Sequence, residues 1–477
     1  MPAKRIFIIA DHGLAIFYFL QSDVLSTILD QGVEVVLLTD DNSVEPIQQR
    51  FNSPGLTIKG LRLDRVKDYI ANNDPMVQWW LDFLRRAGAA SGTNLAVVES
   101  YIQQVKSEAH SRRRLLFPIM ELLVQVLRRS RLARKRLVKF QNRFTPSFYD
   151  DLFNEYKPDL VVASSPGFRQ DRYILRAATK HKIPTAAAIF SWDSTSSYGL
   201  SGAEVDWINC WSEIQKGELI GGADWPPDRV NVGGMPPYDG YIRKQWVMDR
   251  EEYFKSHGLD PNRKLLSYAS SFVNLSPNIQ NIQALVNLVN SDQLIAPSQL
   301  LIRLHPIHMS GHFVEEAEEI RNISKEQPHV NVVEPRQIGG SDYYSVDDLV
   351  DKTSMMVHAD IFLTVYSTMC VEASFQERPI ISVCIDSNIG YPGKYWLPMS
   401  QIGIWPTHSR FRASEAGRVA TNETELGTVI NDYYTFPHAD LKSQKDFITQ
   451  ECTYTDGSAG RKTGEFLLSL LEISNSS

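Results

Sequence analysis

The sequence predicts two doubly wound α/β domains, and three observations carry that expectation. The chain has 477 residues, more than one ordinary hydrophobic core accommodates. Short apolar runs alternate with helical patterns from the start: Arg5–Ala10 (RIFIIA), a helical stretch to about Leu29, then 33–39 (VEVVLLT). Continuous apolar runs of this length read as parallel strands covered by helices on both faces. Finally, 233–240 (GGMPPYDG) follows a strand and is rich in turn formers, which suits a domain boundary. The domains are expected at 1–235 and 236–477. Each is Rossmann-like, and they are expected to face a central cleft at the carboxyl ends of their strands, where such folds bind ligands.

In the first domain, 159–164 (DLVVAS), 184–190 (PTAAAIF), 205–211 and Val230–Val232 are expected as further strands, with a helix over 170–181. Between about 66 and 144 the pattern changes to a long helical insertion. Its second half, 112–139, is strongly basic, from Arg112-Arg113-Arg114 to Arg134-Lys135-Arg136 and Lys139. The second domain is expected to use Lys264–Ala269, 299–304, Val330–Val333, 360–365 and 379–383 as strands. Its helices are expected near 279–290, 313–325, 423–433 and 457–471.

Composition narrows the function class. The hydrophobic share of 43% and charged share of 22% are those of a soluble globular protein. A net charge of −7 does not fit nucleic-acid binding. Cys210, Cys370, Cys384 and Cys452 are far apart and form no CxxC, which argues against a disulfide framework or zinc site and fits a reducing cytoplasm. The apolar run Ile6 to Ala10 is too short for a secretory leader. The longest apolar stretch, 115–127, contains Pro118, Glu121 and Gln125 and falls short of the roughly 20 residues that span a bilayer. The expected location is cytoplasmic, with the basic region 112–139 meeting an anionic membrane surface or anionic glycan. A solvated insertion whose charges pair with acids elsewhere is the alternative. No HExxH, DxD-type acidic pair beside a strand, Cys/His cluster or P-loop appears, and the acidic pairs Asp40-Asp41 and Asp347-Asp348 read as a loop or a helix start, so neither a metal nor a resident cofactor is expected.

Four stretches carry candidate chemistry. In 359–383 (ADIFLTVYSTMCVEASFQERPIISV) a buried strand ends near Val365, and Ser367 and Thr368 follow as good helix caps. Backbone N–H groups at such a helix start can cradle a phosphate, and Glu372, one turn on, can accept both hydroxyls of a ribose. The competing reading is an ordinary strand, cap and helix with Glu372 as a surface charge. In Arg303-Leu304-His305-Pro306 a strand delivers His305 to its carboxyl end. Alternation is expected to put Arg303 on the same face, both serving a diphosphate; a structural His capping a loop is the alternative. His308 is read as a loop residue.

The third stretch, 190–199 (FSWDSTSSYG), projects from the carboxyl edge of the first sheet. Asp193 is the first choice for a general base that takes the proton of an acceptor hydroxyl. Trp192 is expected to wall an acceptor pocket by stacking on a sugar, with Thr195 beside it. A turn capped by Asp193 is the alternative. The fourth, Asp11-His12-Gly13, follows the first strand at the same edge, with Asp11 or His12 as base or as its orienter, against a simple capped turn. Ser165, in the Ser164-Ser165-Pro166-Gly167 loop ahead of Arg169, is a further candidate there.

These residues resemble known families. Asp360, Ser367, Thr368, Glu372, Ala373 and Pro379 resemble the nucleotide-sugar segment of GT-B glycosyltransferases, a pattern shared with CDP-glycerol glycerophosphotransferases and UDP-N-acetylglucosamine 2-epimerases. Ser191, Trp192, Asp193, Thr195 and Gly199 resemble a Ser-Trp-Asp-x-Thr-x-x-Gly motif of bacterial surface-carbohydrate transferases, departing from it at Ser197-Tyr198, where a basic residue often precedes the glycine. The resemblance implies a GT-B fold, a final helix that crosses back to the first domain, a donor held by Arg303, His305, Ser367, Thr368 and Glu372, and a catalytic Asp or His in the loop after the first strand. The implied activity is metal-independent, inverting transfer of a sugar from a nucleotide-sugar to a glycan or lipid-linked acceptor in surface polysaccharide synthesis. Glycerophosphotransfer, 2-epimerisation and a non-catalytic, membrane-peripheral glycan-binding subunit are the alternatives.

Overall fold

The computed structural model describes residues 3–109, 112–271, 278–291, 293–309, 314–325, 327–336, 346–386 and 397–473. The described residues form two compact units, one built from residues up to Asp239 together with those from Glu451 onward, the other from the described residues of 240–336 and 346–450.

In the first unit seven parallel strands form one sheet: β1 (Arg5–Ala10), β2 (Glu34–Thr39), β3 (Leu56–Gly60), β4 (Leu160–Ala163), β5 (Thr185–Ala188), β6 (Trp207–Cys210) and β7 (Val230–Val232). Their order is β3-β2-β1-β4-β5-β6-β7. The chain enters at the centre, winds outward to β3, then returns beside β1 and winds the other way. Ile6 and Ile8 of β1 pair with Leu160 and Val162 of β4, and that junction is the topological switch point. Most of the expected strands form because they are apolar runs buried on both faces, whereas the edge strand β7 (VNV) buries only Val230. The strand β3 was not expected. Its sequence, LTIKG, buries only Ile58, as suits an edge.

The insertion is helical, with segments Leu63–Asn72, Pro75–Ala87, Leu95–Glu108, Arg112–Arg129 and Arg131–Phe140. It has its own core, in which Trp80, Phe83 and Phe117 pack edge-to-face with centroids 5.2–5.6 Å apart. The last helix, Ala459–Ile473, lies in this unit against Asp23–Leu29. Gly464 permits the approach, since a Cβ there would sit 2.6 Å from Thr27 Cβ.

The second unit has six parallel strands: β8 (Lys264–Ala269), β9 (Ser298–Arg303), β10 (Val330–Val333), β11 (Ile361–Thr364), β12 (Ile380–Val383) and β13 (Arg418–Ala420). Their order, β10-β9-β8-β11-β12-β13, repeats the doubly wound pattern with its switch point between β8 and β11. Its core is aliphatic, centred on Leu266, Leu300, Ile302, Leu363 and Ile381. No helix among the described residues is long and apolar enough to cross a membrane.

Candidate functional site

At the first switch point β1 delivers Asp11 and His12 to its carboxyl end. The Asp11 carboxylate is buried and crowded with donors: Ser164 Oγ at 2.6 Å, His12 Nδ1 at 2.7 Å and Arg169 Nε at 3.3 Å. Burial alone would raise its pKa. The charges of His12 and Arg169, with the hydrogen bonds from His12 and Ser164, hold it well below the usual carboxylate range instead. In the neutral form of the ring an ionised Asp11 fixes the proton of His12 on Nδ1, so the lone pair is then on Nε2. His12 is also the N-cap residue of the Gly13–Leu20 helix, but its ring makes no capping bond. Asp11 and His12 are therefore brought together as a dyad rather than as a capped turn.

The loop after β4 supports this dyad. Ser165 is buried, donates to Asp171 Oδ2 at 2.6 Å and accepts from the Phe168 N–H, so its hydroxyl is committed inside the loop rather than offered to a ligand. Asp171 is fully buried and also accepts from the Arg169 N–H at 3.1 Å. Burial and the negative charge of Asp11 push its carboxyl up to about 6. Gly167, at φ +82°, lets the loop touch backbone: a Cβ there would meet Ala203 N at 2.9 Å.

The 190–199 stretch is mostly scaffold. Trp192 is buried, with its Nε1–H on Glu451 Oε2 at 2.6 Å, and Thr195 is buried with its hydroxyl on Glu218. Both side chains are closed off from solvent among the described residues, so the expected sugar-stacking wall at Trp192 is corrected: the indole is 2% exposed and presents no open face. Gly199 takes φ +75° against the backbone of Arg85 and Arg86, and the buried Arg85 guanidinium donates to the carbonyls of Tyr198 and Leu200. Asp193 is half-buried and precedes the single helical turn Ser194–Ser197 without capping it through its side chain. Its carboxylate accepts from Ser191 Oγ.

In the second unit β9 ends at Arg303, so strand alternation no longer governs His305, and the two residues part. Arg303 is buried and bonds Asp351 Oδ2 and Asp348 Oδ1, both at 2.6 Å, on the Val346–His358 helix. His257 holds the other oxygen of Asp351 at 2.6 Å. The expected phosphate role of Arg303 is thus corrected to a structural one.

His305 lies half-buried beyond the strand, with its backbone N–H on Ser270 Oγ at 2.7 Å and on His308 Nδ1 at 3.1 Å. Its ring Nδ1 accepts from the Ile307 N–H at 3.1 Å, which leaves Nε2 as the proton-bearing nitrogen. Burial, then the neighbouring His308, lowers its pKa to about 4, so it is a neutral donor at pH 7. His308, expected as a loop residue, is fully buried and anchored to Glu316 at 2.9 Å. Nothing in the local sequence pairs His308 with Glu316, which lies in the next helix.

Beyond β11, Ser367 and Thr368 are half-buried, and Ser367 Oγ accepts from the Met369 N–H at 3.0 Å. Thr364 Oγ1 spans the second switch point to the Ala269 carbonyl at 3.1 Å. Glu372 is buried in the short helix Met369–Ser374 and is not the solvated charge of the competing reading. Its Oε2 accepts from Lys352 Nζ at 2.7 Å and from the Tyr241 hydroxyl. Asp360 lies at the amino end of β11, away from these residues, where it accepts from the Leu265 N–H at 2.8 Å. Among the described residues no His, Cys, Asp and Glu gather into a metal-binding cluster.

No family model matches this chain, and no curated protein matches it in sequence. Solved structures do match in fold. The UDP complex of MnaA from Staphylococcus aureus aligns with a TM-score of 0.54 at 12% identity, over 98% of this chain and 97% of that one. UDP-GlcNAc 2-epimerase from Neisseria meningitidis, bound to UDP-GlcNAc, gives 0.51 at 11% identity over 98% and 100%. A glycosyltransferase from Rickettsia africae ESF-5 gives 0.52 at 9% identity over 99% of each chain.

The chain has a GT-B fold. In this GT-B chain several of the candidate residues stand where the two sheets reverse their strand order. Asp11, His12 and Ser164 lie at the first switch point; Ser270, His305, Ser367 and Thr368 lie around the second. Sequence reasoning missed Asp171 and Ser270, named Ser164 only as part of a loop and read His308 as a loop residue; these four hold the candidate residues in place.

Proposed function

We propose that this GT-B protein is a glycosyltransferase that moves a sugar from a nucleotide-sugar to a glycan or lipid-linked acceptor, with inversion and without a metal. The observation that carries the reading is the His12–Asp11 dyad, in which a buried, ionised carboxylate orients an imidazole with a free Nε2. Such an imidazole can take the proton of an acceptor hydroxyl as the oxygen attacks the anomeric carbon. Asp193, the first choice from sequence, is the rival base.

The donor is assigned to the second unit. Neutral His305 can donate its Nε2–H to the leaving diphosphate, and the polar groups of Ser367 and Thr368 at the end of β11 can add to it. Glu372 keeps its ribose role in this reading, with Lys352 and Tyr241 setting its orientation. Arg303 drops out of the donor contacts.

A second reading is 2-epimerisation of a UDP-sugar, favoured by the fold likeness to the Neisseria meningitidis epimerase. The test is a thermal-shift panel of UDP-, GDP-, CMP-, CDP- and dTDP-sugars. A bound donor raises the melting temperature through its affinity for the folded state alone. The stabilising compound is then incubated with enzyme and no acceptor. Conversion to an epimer supports the second reading; failure of every nucleotide to stabilise the protein overturns both.

A further inference from the structure

The Arg112–Arg129 helix is apolar on two opposite faces. One face, with Phe117, Val124 and Leu127, is buried in the core of the insertion. The other is uncovered: Leu115 is 79% exposed, Leu122 66% and Ile119 57%, with Val126 also exposed. Positions 115, 119, 122 and 126 follow the helical repeat, so these side chains form one stripe. Single exposed leucines need no explanation, whereas a contiguous stripe marks an interaction surface.

Exposed cations frame the stripe, with Arg114 towards one end and Arg129 at the other. The next helix, Arg131–Phe140, exposes Lys135, Arg136 and Lys139 together with Leu132 and Phe140. Part of the basic stretch is satisfied internally, since Arg128 pairs with Glu99 and Arg134 with Asp224. Among the described residues, Arg114, Arg129, Lys135, Arg136 and Lys139 pair with no carboxylate.

We propose that this face docks on the anionic surface of a lipid bilayer, with the Arg112–Arg129 helix lying flat in the headgroup boundary. Charge complementarity selects this occupant. An apolar stripe flanked by Lys and Arg is the composition of an interfacial helix, whose apolar side enters the boundary while its cations meet anionic headgroups. A second copy of the chain would bring the same cations together across a two-fold interface, where they repel. The helix lies on the bilayer rather than through it, as no described helix is long and apolar enough to cross. The inference is independent of the donor and base assignments, because both helices belong to the insertion.

The test is co-sedimentation of the full chain with vesicles of phosphatidylcholine alone or mixed with phosphatidylglycerol. The protein is expected to pellet with the anionic vesicles only, and less so as salt is raised. Changing Ile119→Ser and Leu122→Ser together is expected to weaken pelleting at least about tenfold. The circular dichroism and melting temperature of this variant should stay at wild-type values, because both side chains are exposed. Changing Lys135→Gln, Arg136→Gln and Lys139→Gln is expected to weaken binding roughly a hundredfold at low salt. Absence of pelleting with anionic vesicles, or equal pelleting by wild type and both variants, overturns the proposal. So does conversion of a dimer to a monomer by the Ile119 and Leu122 changes without vesicle binding, which would make the stripe a protein interface.

Discussion

Trp192 donates its indole N–H to Glu451 at 2.6 Å, with both side chains buried and 259 positions apart in the sequence. Glu451 opens the segment that returns to the first unit, so this bond ties that return to the loop carrying Asp193. Trp192→Phe removes a hydrogen bond to a buried carboxylate, and the expected loss is about 1.5–3 kcal/mol of stability. A fall in the urea midpoint with unchanged turnover per folded molecule is the expected result. A normal midpoint with impaired turnover would return Trp192 to the pocket wall.

The base assignment separates cleanly from its rival. His12→Gln is expected to lower turnover of the stabilising nucleotide-sugar by about a hundred- to ten-thousand-fold with little change in donor affinity. Asp11→Asn should follow it, because the amide no longer fixes the Nδ1–H tautomer. Asp193→Asn is expected to stay within about tenfold of wild type, since general acid–base effects of that size or larger belong to the proton-transferring group. Steady-state rates on the three variants decide, and the reverse order would move the base to Asp193.

Much of the fold could be read from the sequence because buried parallel strands are continuous apolar runs. The runs at β1, β2, β8 and β9 needed no tertiary information. The strands β3 and β13 escaped because edge strands bury few residues and are short. The site was less legible. That Asp11 and His12 stand at a strand's end is local and was visible. What Asp11 does depends on Ser164 and Arg169, which lie 153 and 158 residues away. The error at Arg303 has the same origin: alternation holds only while the strand lasts, and this one stops at Arg303, whose partners come from a helix 45 and 48 residues on.

Arg303 and His305, two residues apart, should therefore respond in opposite ways. Arg303→Met leaves Asp348 and Asp351 buried without their cation, at a cost of about 3–5 kcal/mol. Among the described residues the His305 ring makes one local loop bond and an edge contact with His308, so His305→Ala should change stability by about 1 kcal/mol. Its loss should instead appear as a smaller thermal shift with the donor. Urea unfolding and the thermal-shift panel, run on both variants, check this. Loss of donor binding in a stable Arg303→Met protein would restore Arg303 to the donor site.

Asp171 gives the first unit a recognisable pH dependence. Its folded pKa stands at about 6, above the roughly 3.9 of an unfolded aspartate. Between these values the folded chain keeps a proton that the unfolded chain has released, so stability falls as pH rises through this window. The contribution is fully present below about pH 4 and is lost by about pH 6, a change of roughly 2–3 kcal/mol. Asp11 works in the other direction. Its depressed pKa stabilises the fold above the unfolded value, and that contribution is nearly complete by about pH 5. The two are told apart by the difference between wild type and Asp171→Asn. The amide can still accept the Arg169 N–H but disturbs the bond from Ser165, so the variant's absolute stability is a poor guide. The slope is the measurement: urea midpoints taken from pH 4 to pH 7 should show the wild type losing stability relative to the variant. Parallel profiles would mean that Asp171 is ionised in the folded protein throughout.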